Sequence, residues 1–261
     1  MAGSDHARGD GAPFDLPGRP GGGDAALLLH GLTGSPFELR PVAERLAQAG
    51  VRCLAPLLPG HESPDALART SWHDWAAGAR DALATLGEAR RTMVVGSSMG
   101  ALLACDLAAE SPEKVDGIAL LAPALELQPL GNLAGWLARH TPVPRLLPHI
   151  PKRGGSDVGD PGMRAQNPCM DVVPFRAVGE LQKLQHHVGS ILPWVRCPAL
   201  VVAGELDGTV TVAGARRLAG LLAGGARLVV LHRSQHLVGI DVERDRCADE
   251  VASFLDSLHP R

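Results

Sequence analysis

Apolar residues in this 261-residue chain fall into short blocks separated by longer amphipathic stretches. Ala25-Ala26-Leu27-Leu28-Leu29 is a continuous apolar run, the pattern of a strand covered on both faces of a parallel sheet. Residues 92–95, 117–121, 199–203 and 226–231 repeat it with little interruption, and 51–58 is a looser version. Between these blocks, residues 37–49, 72–86, 101–110, 212–222 and 240–258 read as helices. In the first of them Phe37, Val42 and Leu46 mark the apolar side, with Glu38, Arg40, Glu44 and Arg45 between them. Ser35 is placed as its N-cap, Pro36 as its first helical residue and Gly50 as its stop. Strand and helix alternate, which predicts an α/β fold: a mostly parallel sheet with helices on both faces.

The alternation breaks over residues 125–192. Prolines are frequent there, and Gly154-Gly155 and Gly159 sit in a loop-like segment. Helical spacing is visible at 130–139 and 175–188, with no strand expected between them. A long insertion after a strand lies where a lid over a site would lie. Residues 1–24 are rich in Gly, Pro and Asp and are expected to form a flexible arm. The chain then divides into an arm (1–24), a core (25–124 and 193–261) and a cap (125–192).

Composition narrows the function. Hydrophobic residues make up 45% of the chain and the net charge is −3, as in a globular protein with no dominant sign of charge. Neither nucleic acid nor stable association with an anionic membrane is expected. No 18-residue apolar stretch and no secretory leader is visible, so a cytoplasmic location is the default expectation. Tyrosine is absent, which removes the phenol as an acid or oxyanion donor. The five cysteines are scattered, with no Cys-x-x-Cys pair, and read as buried thiols rather than a metal site. No cofactor is implied.

The candidate chemistry lies where the strands end. Residues 92–95 run into Gly96-Ser97-Ser98-Met99-Gly100, and a helix follows at once. A serine at the apex of a tight strand-to-helix turn needs small neighbours and stands exposed above the sheet edge. In a parallel sheet, sites form beyond the carboxyl ends of the strands. The other exits there carry His30-Gly31-Leu32, Gly204-Glu205-Leu206-Asp207 and Ser234-Gln235-His236. A hydroxyl, a carboxylate and an imidazole on loops at one edge are the set required for nucleophilic acyl transfer. Ser98 is the expected nucleophile and His236 the base, ahead of His232. Asp207 is the expected orienting acid, ahead of Glu205 and Glu126. The backbone N–H groups of Leu32 and Met99 are the expected oxyanion donors. His30 reads as structural, and His186-His187 as a solvated helix face.

Several of these stretches together resemble a known family. Leu27-Leu28-Leu29-His30-Gly31-Leu32-Thr33-Gly34-Ser35-Pro36, Leu58-Pro59-Gly60-His61 and Thr70-Ser71-Trp72-His73-Asp74-Trp75 join the serine turn and the acid and base loops. In that order they resemble an α/β-hydrolase, close to the bacterial carboxylesterases and monoacylglycerol lipases. The resemblance implies an α/β-hydrolase fold with a small cap over an acyl pocket, and a small-molecule ester as substrate. A carboxylesterase is expected first. The alternatives are a monoacylglycerol lipase acting on longer chains, or a catalytically silent binding protein with the same fold.

Overall fold

In a computed structural model of the chain, residues 9–19, 23–152 and 155–259 are described. The first half contains β1 (Phe14–Leu16), β2 (Ala25–Leu29), α1 (Arg40–Gln48), β3 (Arg52–Ala55), the short α2 (Pro64–Leu67) and α3 (Trp72–Thr85). Next come β4 (Thr92–Ser97), α4 (Met99–Glu110) and β5 (Gly117–Leu121). The inserted region carries α5 (Pro129–His140), the short α6 (Val143–Leu146), β6 (His149–Pro151), α7 (Pro161–Gln166), β7 (Val172–Pro174) and α8 (Phe175–Ile191). The chain closes with β8 (Ala199–Gly204), α9 (Val212–Leu221), β9 (Ala226–Leu231) and α10 (Arg244–Ser257).

The main sheet has the order β1-β3-β2-β4-β5-β8-β9 and is parallel except for β1. Its central strands alternate between two buried layers. Leu27, Val94, Leu120 and Val201 face a layer shared with α3, α4 and α8. Leu28, Val95, Leu121 and Val202 face one shared with α1 and α10. The continuous apolar runs follow from this cover on both sides. This is the α/β-hydrolase architecture.

Several local features differ from the sequence reading. Within the expected arm, residues 1–8 and 20–22 lie outside the described residues, but Phe14–Leu16 is an edge strand paired with β3. Three residues are too few to show a period. The expected helix 37–49 starts instead as a 3-10 turn, Pro36–Leu39, and becomes α-helical at Arg40. Pro41 lacks the N–H that a helix running through from residue 37 would use. The tighter turn points Glu38 inward, where it is buried. Ser35 stands at the N-cap without a side-chain cap bond. Strand β3 stops at Ala55, since Pro56 cannot donate to the ladder. The last helix starts at Arg244 rather than at 240, after a turn gathered around the buried Asp241.

The inserted region holds a strand pair that its sequence hides: β6 and β7 form a two-stranded antiparallel ribbon. Each strand has three residues, one of them proline, and long separation in sequence conceals the pairing. Helix α8 packs into the body of the protein. Its Ala177, Leu181, Leu184 and Val188 belong to the same buried layer as α4. By contrast α5 leaves Leu130, Leu133 and Trp136 exposed.

Candidate active site

Strand β4 delivers Ser98 at its carboxyl end, with φ 54 and ψ −110. Such a backbone is costly for a side chain, and its surroundings hold it in place. Its N–H donates to Leu121 O at 2.8 Å, and its carbonyl accepts the Ala124 N–H at 3.2 Å. Close approach explains the flanking glycine: a Cβ on Gly100 would come within 2.8 Å of the His30 carbonyl oxygen and collide with the Leu29 carbonyl. Thr33 (φ 62) and Ala122 (φ 45) also have positive φ. They follow β2 and β5, so all three such non-glycine residues among those described lie at neighbouring strand exits around one site.

The loop after β9 brings His236 over this turn. Its Nε2 lies 2.9 Å from Ser98 Oγ, and its Nδ1 lies 2.9 Å from Asp207 Oδ2. Asp207 Oδ1 accepts the N–H groups of Thr209 at 2.8 Å and Val210 at 2.7 Å, which fixes the carboxylate. All three residues are buried. Burial alone would push the His236 pKa down. The Asp207 carboxylate, by charge and hydrogen bond, together with the charges of Asp157 and Glu38 outweighs this, and the net direction is up. With Nδ1–H donated to Asp207, Nε2 is left to accept the serine proton.

The Leu32 N–H stands on the loop after β2, and the Met99 N–H on the first residue of α4, directly after Ser98. Among the described residues neither has a protein acceptor. The competing acids and base are engaged elsewhere. Glu205 pairs with His232 at 2.5 Å, and Glu126 pairs with Arg217. His30 is a structural group: its Nε2 accepts the Leu58 N–H at 3.0 Å and its Nδ1 lies 2.9 Å from Gly31 O. Burial, aided by His61, lowers its pKa to about 3, so it is neutral. Of the His186-His187 pair, His186 is exposed and His187 is half-buried. Its Nε2 meets the buried Asp106 at 2.8 Å and its ring stacks on Trp72.

Other residues that support the site carried no motif. Asp241 accepts the N–H groups of Gln235, Asp160 and Val242, tying the His236 loop to the inserted region. Asp157 accepts Gly208 N–H and Thr209 Oγ1–H beside Asp207. Glu38 lies under the loop that bears Leu32. Asp157 has its partners 51 and 52 residues away, while Glu38 and Asp241 occupied polar positions of expected helices. Above Ser98 and His236 opens a cavity of about 520 Å³, lined largely by apolar residues such as Leu127, Leu130, Ile150, Val178 and Leu181. That is an ordinary size for a small-molecule site.

Residues 26–252 match the model of the alpha/beta hydrolase family, and the chain belongs to that family. More particularly, it is related to esterases and monoacylglycerol lipases. It is 28% identical over 245 residues to a thermostable monoacylglycerol lipase of Bacillus sp. (strain H-257), covering 93% of each chain. It is 24% identical over 243 residues to a carboxylesterase of Bacillus subtilis (strain 168), covering 91% of this chain and 94% of that one. Among solved structures it resembles one from work on the metagenome-derived lipolytic enzymes LipS and LipT. The TM-score is 0.86 at 26% identity, over 96% of this chain and 99% of that one.

Proposed function

We propose that the protein is a serine carboxylesterase that cleaves carboxylic esters through an acyl-enzyme. The observation that carries this reading is the continuous hydrogen-bonded chain from Ser98 through His236 to Asp207. His236 Nε2 takes the hydroxyl proton as Ser98 Oγ attacks the ester carbonyl. The oxyanion forms against the N–H groups of Leu32 and Met99. Collapse breaks the ester C–O bond, and His236 returns the proton to the departing alkoxide. Water, deprotonated by the same imidazole, then attacks the acyl-enzyme and releases the acid and free Ser98. Asp207 holds the imidazole tautomer and stabilises the imidazolium. Residues 125–192 supply the cap over the acyl pocket.

A second reading has support of its own. The apolar cavity and the likeness to a monoacylglycerol lipase favour longer acyl chains and a glycerol leaving group. Ester hydrolysis graded by acyl length, with monoacylglycerols included, decides between the two.

Purified protein should hydrolyse p-nitrophenyl butyrate near neutral pH and take a fluorophosphonate label on Ser98. Ser98→Ala should lose both and keep its far-UV circular dichroism and melting temperature. An inert, unlabelled wild-type protein would overturn the esterase reading and leave a binding protein.

A further inference from the structure

Glu38 is a carboxyl group for which the proposed reaction has no use. Its residue is 3% exposed, a costly position unless the group has a task or partners. Its Oε2 accepts the Gly31 N–H at 3.0 Å. Its Oε1 packs against Gly34, where an added Cβ would overlap it. Gly31 is itself wedged between this carboxyl and the nucleophile: a Cβ there would lie 3.2 Å from Ser98 Cβ and 3.3 Å from Glu38 Oε2. The loop 31–34 therefore rests on Glu38 on one side and faces Ser98 on the other. It also passes through the positive φ of Thr33, a conformation that needs outside support.

We propose that Glu38 is the positioning residue of the oxyanion loop: its carboxyl acceptor fixes Gly31 so that the next N–H, that of Leu32, points at the carbonyl attacked by Ser98. The inference rests on the esterase reading above. Burial raises the carboxyl's pKa, against the opposing effects of the Gly31 hydrogen bond, Lys152 and His236. A neutral acceptor of the same shape is therefore a close substitute. Glu38 touches neither reacting atom: it reaches the loop through the Gly31 peptide unit, and it reaches His236 only through its charge. Displacing a donor in this way acts on the transition state more than on substrate binding.

Two near-isosteric variants separate the acceptor from the volume. Glu38→Met keeps the bulk and removes the acceptor; Glu38→Gln keeps both. Glu38→Met should lower kcat roughly 10- to 100-fold, as expected for a misplaced catalytic group, with KM unchanged. It should weaken a trifluoromethyl ketone, whose serine adduct carries the oxyanion, by the same factor. Glu38→Gln should restore most of both. Gly34→Ala drives a methyl group into the carboxyl and should reproduce the methionine defect, which also serves if Glu38→Met does not fold. Methionine and glutamine variants that are equally active or equally impaired overturn the inference. So does a loss confined to KM, or a fully active Gly34→Ala enzyme beside an unfolded methionine variant. A wild-type protein that is inert and unlabelled on Ser98 fails at the earlier step, so the two failures are distinct.

Discussion

His236 is held between two opposing influences, and the balance sets a pH dependence. Burial, the largest single influence, disfavours its imidazolium, while Asp207, Asp157 and Glu38 together favour it more strongly, so its pKa is raised. In the proposed mechanism His236 must be neutral to act as the base. The acid limb of kcat/KM for ester hydrolysis should therefore have its midpoint above the ordinary histidine value of about 6.5. Asp207→Asn should move that midpoint down and cost about 10,000-fold in kcat, since the tautomer is lost along with the charge. A pH–rate profile of both proteins checks this. The same shift acts on folding with the opposite sense. The folded protein binds this proton more tightly than the unfolded chain, so the contribution is complete below the unfolded pKa and is lost as pH rises through the folded one. The site is thus best stabilised where it is least active. His30, equally buried but facing no carboxylate, is driven the other way, to about 3.

The strand-to-helix turn between β4 and α4 is the element on which the site depends, and its glycines can be tested directly. Gly100→Ala would press a methyl group into the backbone of β2. A backbone cannot step aside as a side-chain end can, so the variant should lose roughly 1–3 kcal/mol or more. Urea denaturation checks the size, and an unchanged midpoint would mean that the turn tolerates a side chain. This turn was legible in the sequence because its strand, apex and helix are contiguous. So were β2, β5 and β8, whose cover on both faces leaves an unbroken apolar run. The elements that escaped have partners far away in the chain. Strand β1 is defined by β3, and β6 by β7 across the inserted region. Glu38 looked like one polar position of an amphipathic helix. A proline three residues on forces a tighter turn, which reverses the face on which it lies.

At the scale of the whole molecule, a contact remote from the site binds the last helix to the sheet. Arg91 is buried, pairs with Asp24 just before β2 and donates to the Leu255 and Leu258 carbonyls at the end of α10. Burial would raise the Asp24 pKa, but its bonds to Arg91 and Arg90 outweigh this and lower it. The entry to β2 and the end of α10 are thereby clamped to one guanidinium. Among the described residues no helix is long and apolar enough to cross a membrane. The rigid sheet also carries the unfavourable backbone of Thr33, Ser98 and Ala122 at three adjacent strand exits. Each such residue tends to cost about 1–3 kcal/mol and persists only while its surroundings insist on it. Mild denaturant, which loosens that insistence, should therefore extinguish turnover before circular dichroism records any melting. Working capacity would then be the first casualty of a softened scaffold, and heat tolerance measured by shape alone would overstate how long the protein remains useful.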